Sequence, residues 1–285
     1  MTDLRWLIAY HMDDDSFRQL LDRLGFSWRG YARVRKGVKK RICRHMQEHG
    51  YHSLDDYLHA LKKPEILKAV ECLFGVSISH FFRDRYVWNI LGNEILPDMI
   101  KKYDEQINVW SAGCALGQEA YSFAILWDMT KGDCEKRPRL FLLASDSNPD
   151  YIKRAKEGAY GKSSLEGLSQ ETKTIYFHVS EDGSNFFFAE NVKKDITWQV
   201  HDLMKEPPPA GKFHLILLRN SLLTYYREER RMPVLLKIVD HLEDGGFLII
   251  GCHESLPSQI RMLSPHESCT YLFQKAHNYI PHLSM

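Results

Sequence analysis

The chain has no run of eighteen or more apolar residues, so nothing in it reads as a membrane span. Glycine (17) and proline (11) are scarce in 285 residues, and charged residues make up 26%. That balance excludes a collagen-like, low-complexity or disordered chain. There is no Cys-x-x-Cys pair. Cys43, Cys72, Cys114, Cys134, Cys252 and Cys269 are widely spaced, which excludes a disulfide framework and fits reduced thiols in a cytosolic protein. The 14 histidines include no pair at metal-ligand spacing with a third ligand nearby, so no metal site is expected. Met1–Asp15 lacks the basic flank, long apolar core and small-residue cleavage site of a signal peptide, and a cytoplasmic location is expected. Excess charge of either sign is also missing. With 38 Lys+Arg against 37 Asp+Glu, nothing calls for a generic nucleic-acid or anionic-lipid binder.

What is present is enough for a sizeable core: 44% hydrophobic residues over a length that suits one large domain or two unequal ones. The first 75 residues read as helical. Phe17, Leu20, Leu21 and Leu24 form a stripe that stops at Gly25. Ser53 with Asp56 three residues on has the form of a capping box, and Pro64 suits the first position of another helix. Val34, Val38, Ile42 and Met46 recur at helical spacing. The same stretch carries Arg29, Arg33, Arg35, Lys36, Lys39, Lys40, Arg41 and Arg44 without one acid. Arg33, Lys36, Lys40 and Arg44 share a face, which is either an ordinary solvated surface or a docking surface for an acidic partner.

From about residue 105 the pattern becomes strand–helix alternation. Apolar runs at 107–110, 140–144, 213–218 and 247–250, with a last candidate at 270–273, alternate with helical stretches at 118–129, 149–157 and about 228–242. Continuous rather than alternating apolar runs fit strands buried on both faces. The expected fold is α/β, with a doubly wound, mostly parallel Rossmann-like sheet. The division is residues 1–75 as a small helical domain and 76–285 as the sheet domain. Ser184–Gln199, with Phe186-Phe187-Phe188 and Ile196-Thr197-Trp198, reads as a short antiparallel subdomain at about 184–200.

In such a sheet, ligands bind beyond the carboxyl ends of the strands. The first strand runs into Ser111-Ala112-Gly113-Cys114-Ala115-Leu116-Gly117, where glycines permit close approach to the backbone. Asp146 ends the next strand, where a carboxylate can accept from both hydroxyls of a ribose. A pyrophosphate wants the tighter Gly-x-Gly-x-x-Gly turn. The looser Gly-x-x-x-Gly here favours a nucleoside cofactor without phosphate over a dinucleotide.

Six segments, in order, resemble the chemotaxis receptor glutamate methyltransferases, the CheR family: Ser79-His80-Phe81-Phe82-Arg83-Asp84, Trp110 through Ser122, Ala144-Ser145-Asp146-Ser147-Asn148, Ala155 through Gly158-Ala159-Tyr160, Arg219-Asn220-Ser221-Leu222-Leu223, and Gly251-Cys252-His253-Glu254-Ser255-Leu256. The resemblance implies a methyltransferase fold, S-adenosylmethionine as donor, S-adenosylhomocysteine as product, and receptor glutamates as acceptors. It implies that Ser79 and Arg83 face cofactor and substrate. Ala112 and Gly113 line the methionine portion, Glu119 lies near its amino group, and Asn220 lies beside it. Asp146 holds the ribose, and Asp202 with Leu203 meets the adenine. The basic face at Arg33, Lys36, Lys40 and Arg44 then docks an acidic helical segment of a chemoreceptor, with the protein a monomer. Residues 184–198 could hold an extended peptide by strand addition.

The sequence departs from the family after Arg219-Asn220. The usual Ile-Tyr-Phe is replaced so that Thr224 falls in the tyrosine register, followed by Tyr225. Either could supply the hydroxyl, and both are candidate catalytic residues with Arg83. That departure keeps two other readings open: the same fold acting on a different carboxylate or protein, and a non-catalytic adaptor that binds the cofactor or its product.

Overall fold

The structure, a computed structural model, describes residues 12–77, 79–130 and 137–277. Cys134 and the first eleven residues of the N-terminal stretch lie outside the described residues. The chain forms two compact units. One comprises Met1–Val76 together with Thr224–Arg230, the other Ser77–Leu223 together with Arg231–Met285.

The smaller unit is helical: α1 (Asp14–Leu24), α2 (Trp28–Tyr31), α3 (Arg35–Glu48), α4 (Leu54–Ala60) and α5 (Pro64–Leu73). Local chemistry sets the ends. The Asp13 carboxylate accepts from the Ser16 amide, and Gly25, at φ 68°, terminates α1 in the left-handed region. At α4, Ser53 is the cap: Asp56 N–H donates to Ser53 Oγ at 3.0 Å, and the Ser53 hydroxyl donates to Asp56 Oδ2 at 2.7 Å. Phe17, Leu20, Leu21, Val38, Ile42 and Tyr57 are fully buried, and beside them Tyr31 meets Phe74 edge-on while Phe26 lies tilted against both. The returning segment completes this core. The Tyr225 ring lies 4.9 Å from Tyr31 and the Tyr226 ring 5.0 Å from Phe26. Ser27 N–H donates to Tyr225 O at 2.8 Å, and the Arg230 guanidinium donates to Leu24 O.

The basic stretch divides by role. Arg35 and Lys39 pair with Asp14, and Arg41 donates to the carbonyls of Leu73 and Gly75 at 2.8 Å each. Lys36, Lys40 and Arg44 are exposed on α3. Arg33 is exposed too, but in the turn before α3 rather than on it.

The larger unit begins with α6 (Arg85–Ile90), a π-helical turn at Leu91–Ile95, and α7 (Leu96–Lys102). There follow β1 (Gln106–Ala112), α8 (Gln118–Met129), β2 (Arg139–Asp146), α9 (Pro149–Glu157), β3 (Ala159–Gly161), α10 (Gln170–Tyr176), β4 (Phe177–Val179), β5 (Asn185–Phe188), α11 (Glu190–Lys193), β6 (Ile196–Val200), β7 (Phe213–Leu218), α12 (Leu222–Tyr225), α13 (Glu228–Asp240), β8 (Leu242–Ile250), β9 (Leu263–His266) and β10 (Cys269–Lys275), with the end of α12 and the start of α13 counted in the smaller unit. The main sheet has seven strands in the order β6-β2-β1-β7-β8-β10-β9. β6, β2, β1, β7 and β8 are parallel, while β10 and β9 turn back antiparallel. Chain order reverses between β1 and β7, so the crevice for a ligand opens beyond Ala112 and Leu218. Every residue of β7 is buried, and α8 is buried almost all round, as expected of elements covered on both faces.

Three expectations are corrected. The antiparallel sheet is β3-β5-β4, drawn from 159–188, whereas Ile196–Val200 pairs in parallel with β2 as an edge strand. The 184–200 segment is thus split between two sheets. Its apolar content marked both strands, but a strand's partner is a long-range property that local composition does not carry. The strand expected at 247–250 begins earlier, at Leu242, and takes in Gly245-Gly246. There, φ 75° at Gly245 and a shift of register against β7 mark a bulge. Accordingly α13 ends at Asp240, two residues before the expected Leu242.

Candidate active site

The turn after β1 is shaped by left-handed residues: Gly113 at φ 90°, Ala115 at 47° and Gly117 at 88°. A side chain at Gly113 would meet Ser221 Cβ at 2.8 Å, and one at Gly117 would meet the Trp198 ring at 2.8 Å. The turn folds back on β2. The amides of Gly113 and Cys114 donate to Ser145 O at 2.8 and 2.9 Å, Ala115 N–H to Asp146 Oδ2 at 3.0 Å, and Gly117 N–H to Cys114 O at 2.9 Å. These four amides are satisfied within the protein, so the turn does not present them to a pyrophosphate.

Two acids flank the turn. Asp146 ends β2, and each of its oxygens accepts one backbone N–H: Oδ2 from Ala115 and Oδ1 from Asn148 at 2.9 Å. Each oxygen keeps a second lone pair for a hydroxyl. Burial pushes the Asp146 carboxyl above the ordinary range, the backbone donors oppose this, and the Asp202 charge nearby adds to the rise. Asp202, after β6, accepts from Met204 N–H at 2.9 Å and lies 3.5 Å from Lys205 Nζ, so it caps the turn that carries Leu203.

Glu119 stands in the first turn of α8 with its side chain 13% exposed. Oε1 accepts from Ser111 Oγ at 2.7 Å and Oε2 from Arg219 Nη1 at 3.3 Å. Burial raises its carboxyl, and Arg219, Ser111 and the field of Arg83 hold it down. Arg219 ends β7 with its side chain only 3% exposed, and it also donates through Nη2 to Asp84 Oδ2 at 2.7 Å and to Arg83 O at 2.8 Å. Asn220 is left-handed at φ 52°. Its N–H donates to Glu254 Oε2 at 3.0 Å, and its amide group fills the space where a side chain at Gly251 would stand, 2.5 Å from Nδ2.

Within the larger unit the structure therefore gathers Arg83, Ala112, Gly113, Glu119, Asp146 and Asn220 about the ends of β1, β2 and β7, with Asp202 beside Asp146. Ser79 is half-buried in the segment leading to Arg83. Thr224 and Tyr225 cluster with the helical unit, where Thr224 O lies against Gly30 and Tyr225 against Tyr31. Arg33, Lys36, Lys40 and Arg44 belong to that unit as well. Sequence reasoning quoted Arg219 and Glu254 within motifs without giving either a task. Asp84, quoted only within the first motif, sets its carboxylate on Arg219. No cluster of three or more metal-ligating side chains occurs among the described residues.

Two largely enclosed acids beside a turn with four of its amides already engaged suit a ligand with a cationic amino group and a ribose better than a pyrophosphate. On a doubly wound sheet, those features define the class of S-adenosylmethionine-dependent methyltransferases. A family model, CheR methyltransferase SAM-binding domain, matches residues 77–272. A chemotaxis protein methyltransferase of Listeria innocua serovar 6a is 30% identical over 220 residues, 77% of this chain and 81% of that protein. Chemotaxis protein methyltransferase 1 of Pseudomonas aeruginosa is 27% identical over 229 residues, again 77% and 81%. Among solved structures, the N-methyltransferase NodS from Bradyrhizobium japonicum WM9 is similar over 69% of this chain and 100% of its own, at 16% identity and a TM-score of 0.36. The chain belongs to the CheR methyltransferase family.

Proposed function

We infer that this protein transfers a methyl group from S-adenosylmethionine to glutamate side chains of chemoreceptors. The observation that carries the reading is the placing of Glu119 and Asp146 beside a turn that already engages the amides of Gly113, Cys114, Ala115 and Gly117. Glu119 would receive the cofactor's amino group, Asp146 its ribose hydroxyls, and Asp202 with Leu203 its adenine. Ala112, Gly113, Ser79 and Asn220 would line the methionine end. When bound, the cofactor supplies a methyl on a sulfonium, open to direct displacement.

The chain's own task is placement. A glutamate side chain, with a reference pKa of about 4.3, is already ionised near neutrality, so no residue has to take a proton from it. Arg83 would orient the incoming carboxylate by paired hydrogen bonds. Alignment of the reacting atoms and exclusion of water then account for the rate. Too tight an ion pair would stabilise the ground state instead. Either Thr224 or Tyr225 would supply a hydroxyl on the acceptor side. Lys36, Lys40 and Arg44, with Arg33 before the helix, would dock an acidic helical segment of the receptor, with the protein acting as a cytoplasmic monomer.

The test is a calorimetric titration followed by transfer. S-adenosylhomocysteine is expected to bind and NAD not to. Labelled methyl groups are expected to reach receptor-containing membranes in preference to a receptor-free cell extract. Labelling of the extract alone would move the substrate elsewhere. Binding without any transfer would leave an adaptor.

A further inference from the structure

Arg83 sits in an unusual stretch of backbone. Phe82 and Asp84, on either side of it, are both left-handed, at φ 49° and 58°. Asp tolerates that region better than most residues and Phe does not, so surrounding contacts must hold the segment there. They can be named. Phe81 is buried between Tyr160 and Phe177, and Phe82 N–H donates to Ser122 Oγ at 2.8 Å. Arg83 O accepts twice, from Trp88 Nε1 and from Arg219 Nη2, each at 2.8 Å. The Asp84 carboxylate takes the same Nη2 of Arg219 at 2.7 Å. Burial first, and then the Asp84 carboxylate nearby, push up the Cys252 thiol just beyond β8. One carboxylate thus ties its own corner to Arg219 at the end of β7.

Arg219 is the pivot. A guanidinium this buried needs countercharge on more than one side. Glu119 holds Nη1 from the α8 side at 3.3 Å, and Asp84 holds Nη2 from the other at 2.7 Å. With both in place, Nη2 is aimed at Arg83 O. Without the Asp84 charge, Glu119 would draw the guanidinium toward α8 and away from that carbonyl, releasing the main chain that aims the Arg83 side chain.

We propose that Asp84 is a positioning residue of the methyl-transfer site, acting through Arg219 to fix the main chain of Arg83. The proposal rests on the methyltransferase reading, since Arg83 is the group that orients the acceptor.

Asp84→Asn keeps a residue that accepts the left-handed conformation and removes only the charge. It is expected to lower kcat by about 10- to 100-fold, as small misplacements of an orienting group do. The Kd for S-adenosylhomocysteine, measured by calorimetry, should move less than about threefold, because Glu119 keeps Arg219 as its partner and Asp146 lies outside the pair. In an Arg219→Gln background, adding Asp84→Asn should change kcat by no more than about twofold, because the pair acts as a unit. An unchanged kcat in Asp84→Asn overturns the proposal. So does a full additive loss in the Arg219→Gln background, or a parallel loss of S-adenosylhomocysteine affinity.

Should Asp84→Asn not fold, Arg219→Lys serves instead. It keeps the charge but cannot span both carboxylates and the Arg83 carbonyl, and a normal kcat there counts against the idea equally. If the wild-type protein binds S-adenosylhomocysteine but transfers nothing to receptor membranes, the methyltransferase reading fails on its own. Amide exchange over 79–90 then decides, since Asp84→Asn must accelerate it selectively and unchanged exchange overturns the positioning role.

Discussion

Asp146 and Glu119 are acids held where burial works against their charge, and both carboxyls are raised for that reason. A ribose needs the ionised form of Asp146 as acceptor. As pH falls, the folded protein therefore protonates Asp146 earlier than an ordinary aspartate, and cofactor affinity should start to fall at a pH above the usual aspartate range. Calorimetry with S-adenosylhomocysteine from pH 8 downward should show this loss in the wild type. A weak, pH-flatter affinity is expected in Asp146→Asn. Equal slopes in the two proteins would remove Asp146 from the ribose. At this scale the sequence was informative only where a residue's task is local. Asp146 could be read from its place at a strand end. The bonds of Arg219 to Asp84 and Glu119 join residues 135 and 100 positions apart, and no spacing rule reaches that far.

Elements were legible where a cap meets a continuous apolar run. α8, α9 and β7 have the bounds the pattern suggests, because Gly117, the Asn148–Pro149 cap and the fully apolar 213–218 stretch punctuate them. β9 escaped notice because Pro265 sits inside it, which only an edge strand accepts. β8 was cut short because two glycines resemble a turn when the bulge they serve is invisible. Two predictions belong here. On α3, charge reversal at Lys36, Lys40 and Arg44 should weaken receptor methylation while sparing S-adenosylhomocysteine binding, and unchanged methylation would end the docking idea. At the end of α1, Gly25→Ala should destabilise the helical unit by about 1–3 kcal/mol in a urea melt. Its φ of 68° disfavours a side chain, and the added carbon would meet Arg230 Cδ at 2.2 Å.

For the whole molecule, the near-equality of 38 basic and 37 acidic residues conceals local order. Some of the cations in the helical unit are consumed internally by Asp14 and by carbonyls, and Arg219 is enclosed by acids in the other unit. Lys36, Lys40 and Arg44 are left on the surface. The helical unit is also discontinuous in sequence, since Thr224–Arg230 supplies Tyr225, Tyr226 and Arg230 to its core and caps. Tyr226→Ala, far along the chain, should therefore lower the stability of the N-terminal helices by about 1–3 kcal/mol. Helical circular dichroism followed through a denaturant titration checks this, and an unshifted midpoint would contradict it.

That discontinuity also sets an order of events during synthesis. Helices α1 to α5 leave the ribosome before the sheet is made, yet Phe26 lacks the Tyr226 ring and Tyr31 the Tyr225 ring until Thr224–Arg230 has followed the whole of Ser77–Leu223. A unit begun before the sheet is thus completed after most of it. An aromatic surface stands open while Ser77–Leu223 is made, a window in which a nascent-chain chaperone has something to hold.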